Sequence, residues 1–169
     1  MQNLEKEFIS IIEANQGIIH KVCGMYCHSA DDKKDLFQEI VIQLWRSYPK
    51  FKGEAKVSSW LYQIALNTAI TQLRKFYRKP QHEVFSEVIM NISEPSTDDE
   101  REVKLAFLYH AISKLSEIEK AIIMLYLEEH SNDEIAQIMG ITQNNVRVKL
   151  HRIQEKIRGL LNTNHHERA

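Results

Sequence analysis

The sequence predicts an all-α protein made of two small helical bundles joined by a flexible acidic linker. The chain of 169 residues contains only 5 Gly and 3 Pro, so residues that break helices are scarce. Its apolar residues, 43% of the chain, recur at helical spacing before and after one aperiodic, acidic segment. We therefore expect bundles over 1–80 and 101–162, a linker over 81–100 and a disordered tail over 163–169.

Charge is distributed unevenly, although the formal net charge is only −1. Residues 1–80 hold 12 Lys/Arg against 8 Asp/Glu, whereas residues 81–100 hold six acidic residues and no Lys or Arg. Residues 101–169 hold ten Lys/Arg against nine acidic residues. Because salt screens exposed charges beyond roughly 8–10 Å, local rather than net charge governs attraction to phosphates. The net charge therefore does not exclude a nucleic-acid binder.

The first two helices are predicted from their apolar spacing. One runs through residues 4–28, where Gly17 is the expected point of a break. The next begins at Asp31 or Asp32, which suit an N-cap. Its apolar stripe comprises Leu36, Phe37, Ile40, Val41, Leu44 and Trp45.

A loop over 47–57 separates these helices from a third, which we expect Ser58 or Ser59 to cap. Its expected buried side comprises Leu61, Ile64, Ala65, Thr68, Ala69 and Leu73. Pro80 closes the bundle, because proline cannot continue a helix.

The second bundle begins at the acidic end of the linker. Its first helix has an apolar stripe of Val103, Ala106, Phe107, His110, Ala111 and Ile112. Ser116 and Glu119 form a capping-box pattern, which predicts a second helix as far as Glu129.

Residues 131–152 have the pattern of a helix-turn-helix. Ser131 and Glu134 form a second capping box, Gly140 suits the left-handed residue of the turn, and Thr142 caps a helix predicted to reach about Leu161. The expected core of the motif is Ile135, Ala136, Met139, Ile141, Val146 and Leu150.

The solvent face of the last helix carries side chains typical of duplex-DNA recognition. They are Gln143, Asn144, Arg147, Lys149, His151 and Arg152. Amide and guanidinium groups bind base edges through paired hydrogen bonds, and Lys or Arg neutralise phosphates. Between residues 142 and 158 there are five Lys/Arg and one acidic residue. The alternative, an ordinary solvated helix face, stays open at this point.

The first bundle combines aromatic and basic residues, a mixture that suits unstacked single-stranded bases. The mixture spans the loop Tyr48–Lys56, Trp60, Tyr62 and the segment 74–79. The competing interpretation is that Trp60 belongs to the core and the basic residues cover a helix end.

Other classes of function have weaker support. His20, Cys23 and Cys27, with His28 nearby, could hold zinc, but we interpret the cysteines as reduced thiols and expect no metal. The sequence has no phosphate loop or nucleophile elbow, so we expect neither enzymatic activity nor a cofactor. It also has no signal peptide and no apolar run near the roughly 18 residues of a membrane span, which predicts a cytoplasmic protein without membrane insertion.

Several motifs resemble the extracytoplasmic-function (ECF) sigma factors of bacterial RNA polymerase. They are Asp35-Leu36-Phe37-Gln38-Glu39, Leu44-Trp45, Phe51-Lys52-Gly53-Glu54-Ala55, Ser59 through Asn67, and Leu115-Ser116 through Leu150-His151-Arg152. The resemblance covers roughly residues 5–160, with both domains in the family's order and separation. The joint match is far more specific than a lone helix-turn-helix.

The resemblance implies particular partners and contact residues. Core RNA polymerase would be bound through the clamp helices of its largest subunit and its flap, with Asp35, Gln38 and Glu39 as clamp contacts. The acidic linker would thread the polymerase cleft towards the RNA exit path, and an anti-sigma factor is an expected partner.

Promoter DNA is the other partner that the resemblance implies. The residues for minus-ten recognition and melting are Lys50, Phe51, Lys52, Gly53, Lys56, Trp60, Asn67, Gln72, Arg74 and Lys75. The residues for the minus-thirty-five element are Thr142, Gln143, Asn144, Arg147, Lys149, His151 and Arg152. Leu66 stands where many members carry Arg, which puts one contact to the DNA backbone in doubt.

Two alternatives to a sigma factor remain. A free-standing helix-turn-helix regulator would bind duplex DNA as a dimer without polymerase. A helical adaptor with an incidental basic face would have no effect on a promoter.

Overall fold

The computed structural model describes residues 2–78 and 100–166, and every regular element in these ranges is helical. The prediction of an all-α fold is confirmed. The chain forms two compact units: the first contains Met1–Phe76, and the second contains most of the chain from Tyr77 onward. The predicted linker, apart from Glu100, lies outside the described residues, as does the end of the predicted tail at 167–169.

Helix α1, Gln2–Tyr26, is continuous, so the break predicted at Gly17 is wrong. Gly17 is solvent-exposed, where the missing side chain removes no packing. Its cost relative to alanine is about 1 kcal/mol in a helix interior. Ile19 and Val22, in the following turns, are fully buried, and the free energy gained by burying them exceeds the cost of the glycine.

Helix α2, Ala30–Ser47, packs against α1. Its N-cap is Ser29 rather than the predicted Asp31 or Asp32: the Ser29 hydroxyl accepts a 3.0 Å hydrogen bond from the Asp32 amide. The two aspartates occupy the first turn, where their negative charge interacts favourably with the positive end of the helix dipole.

The predicted apolar stripe of α2 is buried only along its centre. Leu36, Ile40 and Leu44 are in the core, whereas Trp45 remains 41% exposed. The Trp45 ring lies edge-on to Phe8 of α1, with centroids 5.0 Å apart. Trp45 therefore covers the edge of the α1–α2 contact instead of filling its centre.

A 3₁₀ helix, Tyr48–Lys50, follows α2, and helix α3 spans Val57–Tyr77. Ser58 and Ser59 lie inside the first turn of α3, so the cap predicted there is wrong. The first backbone hydrogen bond of the helix runs from the Trp60 amide to the Lys56 carbonyl, at 3.1 Å. The buried residues of α3 are Trp60, Leu61, Tyr62, Ala65, Leu66, Ala69 and Ile70.

The core face of α3 is rotated from the predicted one. Ile64, Thr68 and Leu73 are half-buried at its border, while Leu66 and Ile70 are in the core. The Thr68 hydroxyl donates to the Ile64 carbonyl at 2.7 Å, which satisfies it without burial.

In the second unit, α4 spans Glu100–Ser113 and α5 spans Glu117–Leu127. Both pack against the last helix, α7, which spans Gln143–His166. The capping box predicted at Ser116 and Glu119 is present in full. Helix α5 ends at Leu127, two residues before the predicted end.

The end of α5 turns through a left-handed residue. Glu129 has φ +64°, and its amide donates to the Tyr126 carbonyl at 3.0 Å. The His130 amide donates to the Leu125 carbonyl at 3.1 Å. This pair of bonds is the Schellman motif, here with glutamate where glycine is usual.

The helix-turn-helix consists of α6, Asn132–Met139, and α7, Gln143–His166, so the predicted three-residue turn is confirmed. The Glu134 amide donates to the Ser131 hydroxyl at 3.2 Å, and the Ser131 amide donates to the Glu134 carboxylate at 2.9 Å, which completes the predicted capping box. Gly140 has φ +66°, and the Ile141 amide donates to the Ala136 carbonyl at 3.1 Å.

Two predictions for the helix-turn-helix need correction. Met139 and Ile141, both predicted for the core, are half-buried, and Ile138, only 3% exposed, is in the core instead. Helix α7 also continues past Leu161 to His166, so residues 163–166 are helical rather than part of a disordered tail.

Candidate nucleic-acid interface

Stacked aromatic rings support the loop between α2 and α3. Phe51 is stacked on Trp60, with ring centroids 4.7 Å apart and an interplanar angle of 26°. Tyr48 approaches the same indole at 6.1 Å. Trp60 itself is only 7% exposed, so it supports Phe51 instead of offering a free ring face.

A cavity of about 470 Å³ opens beside this stack. Its lining residues are Ser47, Lys50, Phe51, Lys52, Glu54, Ala55, Trp60, Gln63 and Ile64. The structure thus brings together four residues predicted for minus-ten DNA: Lys50, Phe51, Lys52 and Trp60. Gly53 and Lys56 are exposed outside this lining, and the φ of +72° at Gly53 allows the loop to turn.

A second concave surface, a groove of about 640 Å³, runs between α2 and α3. Its lining residues are Glu39, Gln43, Arg46, Ser47, Lys50, Ile64, Asn67, Thr68, Thr71, Gln72 and Lys75. Four predicted DNA residues, Lys50, Asn67, Gln72 and Lys75, therefore share one surface. Arg74 is exposed but outside it.

Sequence reasoning missed Gln43, Arg46 and Thr71 as members of this groove. Gln43 and Arg46 follow Glu39 at steps of four and three residues, which places all three on one face of α2. That periodicity was visible in the sequence, but the pairing of this face with α3 was not. Arg46, Lys50 and Lys75 give the groove three cations against the single carboxylate of Glu39.

The three residues predicted to contact polymerase are neighbours on one side of α2, because Gln38 and Glu39 follow Asp35 by three and four residues, but only one of them lines the groove. Asp35 and Gln38 are exposed on α2 outside the groove. Glu39 is half-buried and lines the groove, where its Oε1 accepts a 2.7 Å hydrogen bond from Gln43 Nε2. Glu39 is thereby grouped with the residues predicted to contact DNA.

In the second unit, the predicted DNA residues lie along one helix. Gln143, Asn144, Arg147, His151 and Arg152 are exposed, and Lys149 is half-buried. Thr142 is exposed as well, but its hydroxyl accepts a 3.1 Å hydrogen bond from the Asn145 amide and so caps α7. Buried Val146, Leu150, Ile153 and Ile157 fix which face of α7 is left to solvent.

The two cysteines have the properties of unreactive thiols. Burial, reinforced by the neighbouring Cys27, raises the pKa of Cys23 to about 11. Burial also raises the pKa of Cys27, with a contribution from Asp32. Within residues 2–78 and 100–166, no cluster of three His, Cys, Asp or Glu side chains could hold a metal ion. In the same ranges, none of the helices combines the length and hydropathy needed to cross a membrane.

Two family models match the chain, one in each unit. The model of sigma-70 region 2 matches residues 11–79, and that of sigma-70 region 4 matches residues 108–157. The first contains both concave surfaces, and the second contains the helix-turn-helix. The two units thus define the class as a two-domain protein of the sigma-70 type.

Curated relatives narrow this class. The chain is 30% identical to the ECF RNA polymerase sigma-E factor of Haemophilus influenzae over 151 residues, which cover 82% of this chain and 80% of that protein. It is 28% identical to the RNA polymerase sigma-H factor of Pseudomonas aeruginosa over 152 residues, covering 82% and 79%. The chain belongs to the ECF sigma factor family.

A solved structure agrees in fold. It is the sigma factor RpoE from Bartonella quintana in complex with the anti-sigma factor NepR, with a TM-score of 0.69 and 20% identity. The match covers 96% of this chain and 98% of that chain.

Proposed function

We propose that this protein binds core RNA polymerase in the bacterial cytoplasm, directs it to particular promoters and helps to open the DNA. The observation that carries the proposal is the pairing, in one sigma-family chain, of a concave aromatic surface with an exposed helix-turn-helix face. The polymerase would supply the chemistry of RNA synthesis, so the protein itself would be neither an enzyme nor a holder of a cofactor.

The first unit would bind the minus-ten element as a separated strand. The cavity beside Phe51 can accept an unstacked base, because stacking on an aromatic ring offsets part of the cost of unstacking. Lys50 and Lys52 would neutralise the adjoining phosphates. The α2–α3 groove would hold the neighbouring backbone through Asn67, Gln72 and Lys75, with Arg74 and Lys56 beside it.

The second unit would bind the minus-thirty-five element as a duplex. An α-helix fits the major groove of B-form DNA, and α7 presents amides and cations on its open face. The residues proposed to contact this element are Thr142, Gln143, Asn144, Arg147, Lys149, His151 and Arg152.

The polymerase clamp helices would contact Asp35 and Gln38, which are the exposed members of the predicted set. Glu39 would act beside them from within the groove. The flap of the polymerase is the contact proposed for the second unit.

An anti-sigma factor is the remaining proposed partner. The Bartonella RpoE structure, which matches this chain along nearly its whole length, contains an anti-sigma factor. Isolation of this protein from its host without an inducing signal should therefore recover a second protein besides polymerase. Recovery of polymerase alone under those conditions would contradict this part of the proposal.

Binding of the labelled chain to purified core RNA polymerase, without DNA, is the decisive experiment. We expect saturable binding that falls at least tenfold in the double variant Asp35→Ala, Gln38→Ala. The matched control is Glu13→Ala, Gln16→Ala, an exposed acid and amide at the same three-residue spacing on α1. No binding by folded protein would favour the free-standing regulator.

A further inference from the structure

One apolar side chain interrupts the polar face of α7. Val148 is 40% exposed, although the core positions of α7 are almost completely covered. Single exposed apolar residues are common on proteins and usually need no explanation. Val148 differs because of where it lies on the helix-turn-helix.

Val148 points away from the core of its own unit. Val146 and Leu150, two residues before and after it, are 0% and 6% exposed. Side chains two residues apart on an α-helix point about 200° apart, so Val148 lies on the opposite face. Exposed Asn144 and Arg152, four residues to either side, lie on the same face as Val148.

The chemistry of this face suits the major groove at each of these three positions. Amides and guanidinium groups bind base edges through hydrogen bonds, which valine cannot do. The apolar group that the major groove displays is the 5-methyl group of thymine. A β-branched side chain held near one rotamer in a helix presents its methyl groups in a fixed position. Valine also has modest helix propensity, so helix stability does not account for it.

We propose that Val148 packs against the 5-methyl group of a thymine in the upstream promoter duplex and is a specificity-determining residue. The inference rests on the proposed function and adds to it a residue and a base. Neighbouring Asn144 and Arg152 would bind the adjacent base edges, and Val148 would select thymine between them.

The size of the effect follows from the area of one methyl group. Burying a group of this size is worth roughly fourfold in affinity. Removing the thymine methyl, or removing the valine methyls, should each weaken binding by about that factor. Removing both should cost little more than removing one, because the two changes abolish the same contact.

The test uses the complete chain bound to core RNA polymerase. Promoter fragments are first selected from a random-sequence library by this complex. Each thymine of the selected upstream element is then replaced singly by deoxyuridine, which lacks only the methyl group. We expect one position at which the wild-type complex binds roughly fourfold more weakly, and the Val148→Ala complex should be insensitive there.

Matched variants separate the contact from indirect effects. Ile9→Ala removes another exposed apolar side chain, 48% exposed on α1, and should leave the sensitivity to deoxyuridine intact. Val148→Thr keeps one methyl group and should give an intermediate sensitivity. The fold should survive both changes at position 148, because the side chain lies on the face of α7 opposite its buried residues, and circular dichroism checks this.

The outcomes distinguish this inference from the proposed function. If the complex selects no upstream element, the proposed function fails. If it selects one but the two complexes respond equally to deoxyuridine, the valine contact is wrong. Loss of binding to polymerase without DNA in Val148→Ala would overturn the inference too, since Val148 would then face the polymerase.

Discussion

The two units build their candidate DNA surfaces in different ways. In the first, the surface is concave and needs several elements: the Phe51–Trp60 stack lies between a loop and α3, and the groove lies between α2 and α3. In the second, the surface is the convex outer face of α7, which needs only correct orientation of one helix. A concave site suits a base removed from its stack, and a convex helix suits an intact groove.

Because of this difference, the DNA surfaces of the two units depend on helix packing to different degrees. A convex face keeps its shape as long as the helix is held, and two serine capping boxes and a buried stripe hold the helices of the second unit. A concave site is lost when any one of its walls moves. The first unit should therefore lose function through small local changes, and the second mainly through loss of its core.

The largest expected effect tests this dependence through the core of the helix-turn-helix. Ile135 is fully buried, and Ile135→Ala should lower the free energy of unfolding of the second unit by about 2–5 kcal/mol. Both tryptophans of the chain, Trp45 and Trp60, belong to the first unit. Urea unfolding followed by circular dichroism should therefore show an earlier phase, while tryptophan fluorescence is unchanged.

The exposed change His151→Ala is the control and should alter neither signal. An equal shift of the fluorescence transition in Ile135→Ala would mean that the two units unfold as one, which contradicts the comparison.

The next effect is confined to the concave site. Phe51→Ala removes the ring stacked on Trp60 and should slow promoter opening by roughly 5- to 150-fold, because stacking of one base on an aromatic ring is worth about 1–3 kcal/mol. A fluorescent base analogue within the minus-ten element would measure opening. Phe51→Tyr keeps a ring and should restore most of the rate.

Binding of the Phe51→Ala holoenzyme to a fragment that contains only the upstream duplex should be unchanged. A loss there equal to the loss in opening would show that the two surfaces do not divide strand and duplex recognition.

A smaller effect concerns the left-handed residue that ends α5. Glu129 has φ +64°, a conformation that costs residues with a Cβ roughly 1–2 kcal/mol. Glu129→Gly should therefore raise the free energy of unfolding of the second unit by up to about 1 kcal/mol, since glycine's greater freedom when unfolded offsets part of the gain. Chemical denaturation measures it.

Glu129→Ala removes the same charge but keeps a Cβ, so it should not reproduce the stabilisation. If alanine and glycine stabilise equally, the charge of Glu129 rather than its backbone conformation is responsible.

The smallest effect is a dependence of stability on pH at Glu119. Burial alone would raise the pKa of Glu119, but hydrogen bonds from the Ser116 amide and from Lys156 outweigh it and lower the pKa below its ordinary value of 4.5. Lys156 Nζ lies 3.0 Å from the carboxylate. A lowered pKa in the folded state stabilises the protein above pH 4.5, and this contribution is lost as the pH falls below that value.

Because both side chains are partly exposed, we expect about 0.5 kcal/mol from this pair. Thermal melts at pH 7 and at pH 3 should show a smaller loss for Glu119→Gln than for the wild-type chain. An equal loss in both would assign the acid sensitivity to other carboxylates.

The sequence alone predicted most of the second unit. Its serine capping boxes, the three-residue turn and Gly140 all depend on neighbours within about six residues, and each is present. Local hydrogen bonds and backbone conformation are determined by local sequence, so they can be found without the fold. The error over Ile138 and Met139 arose because both suit the apolar side of a short helix, and only tertiary packing chooses between them.

The first unit was predicted less completely. Its three helices were expected, but the cap at Ser29, the continuity through Gly17 and the exposure of Trp45 were not. Ser29 and the aspartates after it are all good N-caps, so propensity alone could not choose among them. Gly17 stays helical because burial on either side of it exceeds its small local cost.

The sequence by itself determined the helical class, the helix-turn-helix and the residue types available for DNA, because these follow from periodicity and local bonding. Only the tertiary structure decided that Glu39 shares a groove with Asn67, Gln72 and Lys75, and that the Trp60 ring stacks against Phe51. These relations join residues on different elements, and they depend on how α2 and α3 rotate to bury their apolar faces. Side-chain spacing along one helix cannot specify the rotation of its neighbour, which is set by packing.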